Sequence, residues 1–530
     1  MKKILFIIFV VFTYLNYRYL ELGFLRNYSP DGYAFHGSLL NMFEGVMSLD
    51  IKKLFTFNFY SYGFGFFALN LFATFPFIAM ENWEMTIYIP RIIASIFAIS
   101  SIYLIFKIAR DYLDNTSSIL LSLIAISMPG FWINAFFFRP NWMMTFFIIL
   151  TIYYLSKDAW KNKNNFWWGS ISFGLAIATK IQAITFIPLI FLYVFYDNLQ
   201  NKTNFNFFLK LKLFIKTLLL SFSVFILTNP YIIHPVGFKA FANSFLDNLQ
   251  ANITNHDSVI SYSIIEKINN AINPFYFDKY IFIIFILISL FLSLKILKKN
   301  DSKNIFYIVA FYFFINICYM LIFVNKDWQQ YYLPLLIITP LLLIPLIKKY
   351  EKIKFYILIG LLMIQVITYL PMYKIIFLKD YGVPKNVIGK NITKKELMKD
   401  ISNSLINDLK NHITKDTNIL MGNGIAFDFL SLGLSYHNIK IINGPLQKSM
   451  FDLDAYLKSS KLKNLKNFKE TEFIILSKAS IYFKEEKLKQ VVNKDGYRNA
   501  RKIVEDFINA GDLGYEIFKK NNYFYIFRKK

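Results

Sequence analysis

The stretch "IPRIIASIFAISSIYLIFKIAR", Ile89–Arg110, decides how the rest of the chain is read. It is an apolar run of bilayer-spanning length with a cation near each end: Arg91 at one, Lys107 and Arg110 at the other. About 20 apolar residues in a helix cross the hydrocarbon of a bilayer. Lysine and arginine in short loops hold those loops on the cytoplasmic side. The pair at 107 and 110 marks the inner end, so the span over 88–108 runs from outside to inside. Arg91 then lies at the outer face, where a positive-inside protein avoids arginine.

Working outward, the N-terminal stretch "MKKILFIIFVVFTYLNYRYL" has a basic start and an apolar run without a small-residue cleavage site. It reads as a retained signal anchor with its N-terminus in the cytoplasm. Further spans are expected over 116–136, 140–156, 166–180, 183–196, 211–229, 279–297, 305–325, 331–347 and 353–372. The loops "KDAWKNK" (Lys157–Lys163), "KILKKNDSK" (Lys295–Lys303) and "KKYEKIK" (Lys348–Lys354), with the lysines from Lys202 to Lys212, then fall inside. This arrangement forbids the apolar run Tyr62–Met80 from crossing alone. Its glycines and Pro76 suit an interfacial or re-entrant helix, where the conventional reading makes it a twelfth span. The fold class is a polytopic α-helical membrane protein of about eleven transmembrane helices. Its outer loops cover about 21–87 and 230–278.

Composition agrees. Hydrophobic residues make up 55% of the 530, in blocks too long for a soluble core. The net charge of +25 would point to nucleic acid in a soluble protein. Here the lysines sit in short loops between apolar blocks, so the charge sets topology and adds attraction to anionic lipid headgroups. No nucleic-acid partner is implied. The single cysteine, Cys318, excludes an intrachain disulfide and a cysteine metal site.

From about residue 376 no run is long enough to span. "TNILMGNGIAFDFLSLGLSYHNIKIING" (Thr417–Gly444) reads strand, loop, helix, strand, and "EFIILSK" (Glu472–Lys478) reads as a buried strand. "YEIFKKNNYFYIF" (Tyr515–Phe527) reads as a terminal hairpin turning at Asn521–Asn522. The expected organisation is a membrane domain over 1–375 and a small extracytoplasmic α/β domain over 376–530. "GNGIAF" lacks the full glycine pattern of a nucleotide loop and reads as turn chemistry.

Charges at membrane depth are costly and mark functional candidates. Lys180, in "GLAIATKIQAITFIP", lies between two apolar halves read as a tight hairpin turning at the outer side. Arg139, in "FFFRPNW", and Lys326, in "FVNKDWQQYYLP", also begin or end spans at that side. With Arg91 they make four outer-face cations at helix mouths, a set suited to an anionic target such as a lipid-linked phosphate. A lysine snorkelling to headgroups is the plain alternative for Lys180. The first outer loop holds "NYSPDGYAFHGSLLNMFEG" (Asn27–Gly45), with Asp31, Tyr33, His36 and Glu44. "Pro-Asp-Gly" by itself favours a turn. The second outer loop holds His234, His256 and Asp257, each readable as a ligand or as plain surface.

These pieces in this order resemble the GT-C class of polyprenyl-phosphate-sugar-dependent glycosyltransferases, above all the protein O-mannosyltransferase and aminoarabinose transferase branch. They are "SPDGYAFH", "YSYGFGFF", "IPRIIASIFAISSIYLIFKIAR", "GLAIATKIQAITFIPL", "NPYIIHP" and "KDWQQYYLPLL", spread over residues 1–350. The resemblance implies a GT-C fold with an interfacial helix after the first loop, and Asp31 as the catalytic base. Strong-motif members carry an Asp-Glu pair, whereas this chain has Asp31-Gly32. Glu44 is the remaining candidate for a second acid.

The resemblance further implies a polyprenyl-phosphate-linked sugar as donor and a glycan, lipid or protein hydroxyl as acceptor. Arg91, Arg139, Lys180 and Lys326 would bind the donor phosphate. Tyr33, His36, Tyr62, His234, His256, Gln330 and Tyr331, with Trp142 and Trp328, are candidates to line the sugar or lipid; an aromatic belt is the plain alternative for the rings. No cofactor is required and no metal is demanded, since arginine and lysine can neutralise the leaving group. A divalent metal, if used, would need Asp31, His234, His256 and Asp257 to converge. The site is expected at the outer face of the cytoplasmic (inner) membrane. A transporter or flippase of lipid-linked sugars, and a non-catalytic envelope assembly protein, are the competing readings.

Overall fold

The structure is a computed structural model describing residues 1–18, 30–57, 59–200, 207–254, 262–297, 304–378, 384–387, 390–421, 427–434, 438–441, 471–477, 515–520 and 524–530. The chain divides into two units. The first comprises Met1–Arg18, Ala34–Ile253 and Tyr262–Lys379; the second comprises Tyr19–Tyr33, Thr254–Ser261 and Asp380–Lys530.

The first unit is helical. Its main helices are α1 (Lys2–Arg18), α2 (Pro30–Met47), α3 (Phe64–Ala79), α4 (Trp83–Arg110), α5 (Asn115–Ile126), α6 (Pro129–Ala135) and α7 (Asn141–Asp158). There follow α8 (Asn164–Thr179), α9 (Ile187–Gln200), α10 (Phe207–Thr228), α11 (Pro235–Thr254), α12 (Lys279–Leu294), α13 (Ile305–Ile322) and α14 (Lys354–Thr368). α2 starts in the second unit's segment and runs on into the first. Among the described residues α4, α10 and α13 are long and apolar enough to cross a membrane. The pair α5–α6 passes as one span bent by 64°. Shorter apolar helices cover Phe64–Ala79, Ile181–Tyr196, Lys279–Leu294 and Lys354–Thr368.

Two expected elements differ in form. The stretch over 116–136 bends because Pro129 cannot continue the hydrogen-bond ladder and starts a new helix. The stretch over 331–347 is a series of short pieces, Gln329–Tyr331, Leu333–Leu336, Thr339–Leu343 and Ile344–Lys349. Pro334, Pro340 and Pro345 each sit in the first turn of a piece, where a proline is tolerated.

The loops of this unit sort to two ends. At one end Lys157 pairs with Asp111 at 2.7 Å, Lys354 with Asp114 at 2.7 Å, and Lys348 lies 5.8 Å from the Tyr112 ring. Tyr112 also packs on Phe306 at the start of α13. These are the loops expected to face the cytoplasm. The chain rises from there through α8 and returns: Tyr193 in α9 donates to Asp158 at 2.6 Å, and its hydroxyl accepts from the Trp160 N–H. The reversal expected at Lys180 is therefore present.

Two segments join at that reversal. Gly63 N–H donates to Thr179 O at 3.1 Å, and Ile181 N–H donates to Ser61 O at 3.0 Å. The approach is so close that a Cβ on Gly63 would lie 1.6 Å from Ala178 O. The neighbouring helix also enters: Asn229 Oδ1, just after α10, accepts from Phe64 N–H at 2.7 Å.

The second unit contains α15 (Lys394–Leu409), a two-stranded antiparallel pair, β1 (Pro384–Val387) and β2 (Lys390–Thr393), and a five-stranded sheet. The sheet strands are β3 (Ile419–Met421), β4 (Ile439–Ile441), β5 (Phe473–Ser477), β6 (Tyr515–Lys520) and β7 (Phe524–Lys529), in the order β4-β3-β5-β7-β6. β3 is parallel to β4 and β5; β7 is antiparallel to β5 and β6. Leu405 and Leu409 of α15 pack with Ile419, Met421, Phe473, Ile475 and Ile526 in its core. The expected α/β pattern and terminal hairpin are present. Asn521–Asn522 and the "GNG" of "GNGIAF" lie outside the described residues.

Substituting Gly63→Ala is expected to force the loop off α8 and to cost about 1–3 kcal/mol, seen as a lower unfolding midpoint in detergent. A second expectation concerns Asp114. The Lys354 ammonium, then the Ser117 N–H, hold its carboxyl well below the usual carboxylate range. A depressed pKa contributes stability that is complete above the unfolded value and is lost as pH falls through the folded one. Asp114→Asn keeps a capping side chain and loses the ion pair. The midpoint should drop slightly at neutral pH, and the difference should vanish in acid and in high salt.

Candidate active site

The site begins where α8 stops. Lys180 N–H still bonds to Ala176 O at 3.1 Å, but Lys180 itself is extended, with φ −155° and ψ 124°. Its side chain is buried, 6% exposed. Nζ donates to Asn141 Oδ1 at 2.8 Å and lies 5.5 Å from the Tyr62 ring centre and 4.9 Å from that of Tyr331. Lys326 is more deeply buried, 1% exposed. Its Nζ donates to the Tyr331 hydroxyl at 3.3 Å and lies 4.9 Å from the Trp328 ring and 5.1 Å from the Tyr331 ring. Tyr331 thus carries an ammonium from each lysine.

Four residues singled out from the sequence, Tyr62, Lys180, Lys326 and Tyr331, therefore come together, with Trp328 beside them. Tyr62, Lys180 and Tyr331 line a cavity of about 120 Å³, together with Gln182, Asn252 and Tyr319. Gln182 Nε2 donates to Tyr331 O at 3.1 Å and so holds that ring's backbone. Arg139 is half-buried over the Phe137 ring at 4.7 Å, two residues before Asn141. Arg91 is buried on α4, one helical turn and a residue beyond Thr86.

The first loop is helical where a turn was expected. Pro30 opens α2, because its fixed φ suits the first helical position, and Asp31 sits in that first turn. A helix N-terminus favours a carboxylate's charged form. The side chains of Asp31 and Tyr33 lie outside the described residues. His36 is buried, and its Nε2 lies 2.8 Å from Thr86 Oγ1. The Thr86 hydroxyl donates to Trp83 O, so His36 Nε2–H is the donor to Thr86. Burial pushes the imidazole down to about 3, which leaves His36 neutral and suits it to fixing α2 on α4. Phe35 beside it packs against Tyr62, Phe66, Phe67 and Phe138.

Other candidates have local roles. Glu44 forms an ion pair with Lys53 nine residues on, which ties the first loop together. His234 is exposed; its Nδ1 accepts from Val236 N–H at 3.2 Å and its ring stacks on Tyr231. His256 and Asp257 lie outside the described residues. Among the described residues no group of three or more His, Cys, Asp or Glu is placed to hold a metal ion. Trp142 is fully buried against Phe131 and not part of an interfacial belt.

Gln330 makes no hydrogen bond among the described residues, whereas its neighbour Gln329 does. Asn134 Nδ2 donates to Gln329 Oε1 at 2.7 Å, and the Tyr276 hydroxyl donates to Gln329 O at 2.8 Å. Sequence reasoning passed over Gln329, Asn141, Gln182 and Asn252. Asn141 carried a signal, as a polar residue opening a span directly after Arg139-Pro140.

Residues 67–228 match the family of dolichyl-phosphate-mannose-protein mannosyltransferases. No curated protein matches the chain. The crystal structure of ArnT from Cupriavidus metallidurans bound to undecaprenyl phosphate superposes with a TM-score of 0.58 at 10% identity, over 98% of this chain and 97% of that one. The same enzyme in the apo state gives 0.51 at 10% identity, over 87% and 86%. The archaeal oligosaccharyltransferase AglB from Archaeoglobus fulgidus gives 0.46 at 10% identity, over 79% and 62%. Over residues 67–228 the chain is thus similar to the dolichyl-phosphate-mannose-protein mannosyltransferases, and over nearly its whole length it shares the fold of ArnT.

Proposed function

We propose that this protein is an inverting glycosyltransferase that moves a sugar from a polyprenyl-phosphate donor to an acceptor hydroxyl at the outer face of the cytoplasmic membrane. The observation that carries the reading is the pair of buried ammoniums, Lys180 and Lys326, on the Tyr331 ring beside a cavity. Charged groups at membrane depth mark functional candidates, and ammoniums beside a cavity suit an anionic ligand. The donor phosphate is the anion, and the ammoniums stabilise the negative charge that grows on it as the sugar departs. Arg139 and Arg91 belong to the same set of outer-face cations.

Asp31 is the general base. Its carboxylate takes the proton from the acceptor hydroxyl while that oxygen attacks the anomeric carbon and the phosphate leaves from the opposite side. One direct displacement inverts the anomeric centre. His36 supports this part of the site by fixing the helix that begins at Pro30 onto Thr86. The donor phosphate needs no metal in this scheme, since lysine and arginine provide the positive charge.

The outer-face assignment is supported by the charges at the opposite end of the helices, where partly exposed lysines sit in short loops. The eleven-span count, with α3 along the interface, is supported by a pair of adjacent residues. Phe35 touches Phe66 and Phe67 near the start of α3, and His36 touches Thr86 near the start of α4. A crossing of about 30 Å of hydrocarbon by α3 would part those two starts. The second unit, following α14, then lies outside the cytoplasm.

The test is mass spectrometry of membrane lipids from cells lacking the protein and complemented with wild type, Asp31→Asn or Lys180→Met. A polyprenyl-phosphate sugar should accumulate in the deletion, and its mass names the sugar. Asp31→Asn, made at normal levels, should slow its consumption by about 10²–10⁴-fold, the usual contribution of a general base. Lys180→Met should weaken donor binding by about 10- to 100-fold. Full restoration by Asp31→Asn would overturn the mechanism. Movement of the lipid-linked sugar across the membrane without its consumption would favour a transporter.

A further inference from the structure

We infer that Asn134, Tyr276 and Gln329 form a latch that positions Tyr331, and through its ring the Lys180 and Lys326 ammoniums, for the anion they bind. This rests on the transferase reading above and deepens it, adding positioning residues that lie away from the cavity wall. None of the three is among the residues that line the cavity. They act through the turn Gln329–Tyr331, whose last residue carries the ring that both ammoniums share. The turn is a single 3₁₀ turn, and one such turn has too few bonds to hold itself. Its own bonds run from Tyr331 N–H to Trp328 O and from Tyr332 N–H to Gln329 O, each 3.1 Å. Its orientation therefore comes from outside. Gln182 holds the Tyr331 end through the backbone carbonyl.

The latch holds the other end. The Tyr276 hydroxyl lies 2.8 Å from Gln329 O and 3.1 Å from Gln329 Oε1, so one proton serves the backbone and the side chain of the same residue. Asn134 Nδ2 donates to that Oε1 at 2.7 Å and to Gly130 O at 2.8 Å, and Gln329 Nε2 returns a longer bond to Asn134 Oδ1 at 3.4 Å. Asn134 and Tyr276 are buried. Tyr276 is itself fixed from two sides. Gly130 N–H in α6 donates to Phe275 O at 2.6 Å, and a Cβ on Gly130 would lie 2.6 Å from the Tyr276 ring, so a larger residue there would displace the ring. From α14, Gln365 Nε2 donates to Tyr276 O. Hydrogen bonds are directional where apolar contacts are not, so the trio sets the rotation of the turn. Removing the Tyr276 hydroxyl alone keeps the ring packed and frees Gln329 to rotate. A displacement of about 1 Å in a positioned group can cost about 10²-fold in rate.

The experiment measures binding of undecaprenyl phosphate to the purified full chain in lipid nanodiscs. Tyr276→Phe and Gln329→Leu should each weaken it by about fivefold or more. The double variant should bind within about twofold of the weaker single one, because both changes break one contact. Tyr369→Phe is the matched control: it removes a hydroxyl that donates to Asn273 O, in the same segment as Tyr276, and should leave binding within about twofold of wild type. A second readout follows the turn itself. The fluorine resonance of 5-fluorotryptophan at Trp328, assigned with Trp328→Phe, should move in Tyr276→Phe and stay in Tyr369→Phe. Unchanged binding or an unmoved resonance in Tyr276→Phe would overturn the inference. So would equal weakening by Tyr369→Phe, which would mark a general role in packing. If the latch variants bind as wild type does while Lys180→Met binds weakly, this inference fails and the transferase reading stands. Failure of wild type to bind undecaprenyl phosphate would remove both.

Discussion

The site depends on one interruption of a helix. Inside a bilayer a helix can stop only where its freed backbone groups find other partners. α8 stops at Thr179, and the loop at Ser61–Gly63 takes up the groups on both sides of Lys180: Gly63 N–H to Thr179 O, Ile181 N–H to Ser61 O. Two bonds of this kind turn a break into a joint. They also fix Tyr62 between them, which brings its ring onto the Lys180 ammonium. Gly63 is required because its α-carbon lies against the Ala178 carbonyl. The residue after it, Phe64, starts α3 and bonds to Asn229 at the end of α10. The ends of three helices thus meet at one joint, and Lys180 is at its centre.

From that joint the charged groups follow in sequence. Lys180 reaches Asn141 at the start of α7 and shares the Tyr331 ring with Lys326. A ring face gives a cation about 0.5–2 kcal/mol of attraction, more when water is removed. An ammonium taken from water into a protein interior costs several kcal/mol. The rings and the Asn141 carbonyl help to position the two lysines. The proline-broken run over 329–349 serves the same end. A continuous helix there would hide Tyr331 on one face, whereas the short piece Gln329–Tyr331 turns its carbonyl to Gln182 and its ring to both lysines.

Much of this was legible in the sequence because the bilayer imposes strong composition. The apolar blocks, the lysine loops and the reversal at Lys180 all follow from the cost of placing charge in hydrocarbon. Lys180 and Lys326 stood out for the same reason. Neutral polar residues carry no such signal: Gln182, Asn141 and Asn252 look like any other amide until the fold brings Gln182 and Asn252 to a cavity and Asn141 to the Lys180 ammonium. Gln329 and Gln330 are adjacent and identical, and only the local 3₁₀ turn decides which one bonds to Asn134 and Tyr276. Pro-Asp-Gly was ambiguous because the same fixed φ suits a turn and a helix start. Glu44 looked chemically available because its partner, Lys53, is brought back by a short helix that the sequence did not reveal.

The two ends of the helical unit use the same residue type in opposite ways. Lys157 and Lys354 are partly exposed and sit on carboxylates, Asp111 and Asp114. Such pairs contribute little to stability and are screened by salt, and in the proposed orientation these lysines hold topology. Lys180 and Lys326 are buried on aromatic rings at the other end. In the proposed orientation topology does not require them, because positive charge on the outer side would work against it. The two buried ammoniums on one shared ring are the groups that the proposed function assigns to the donor phosphate.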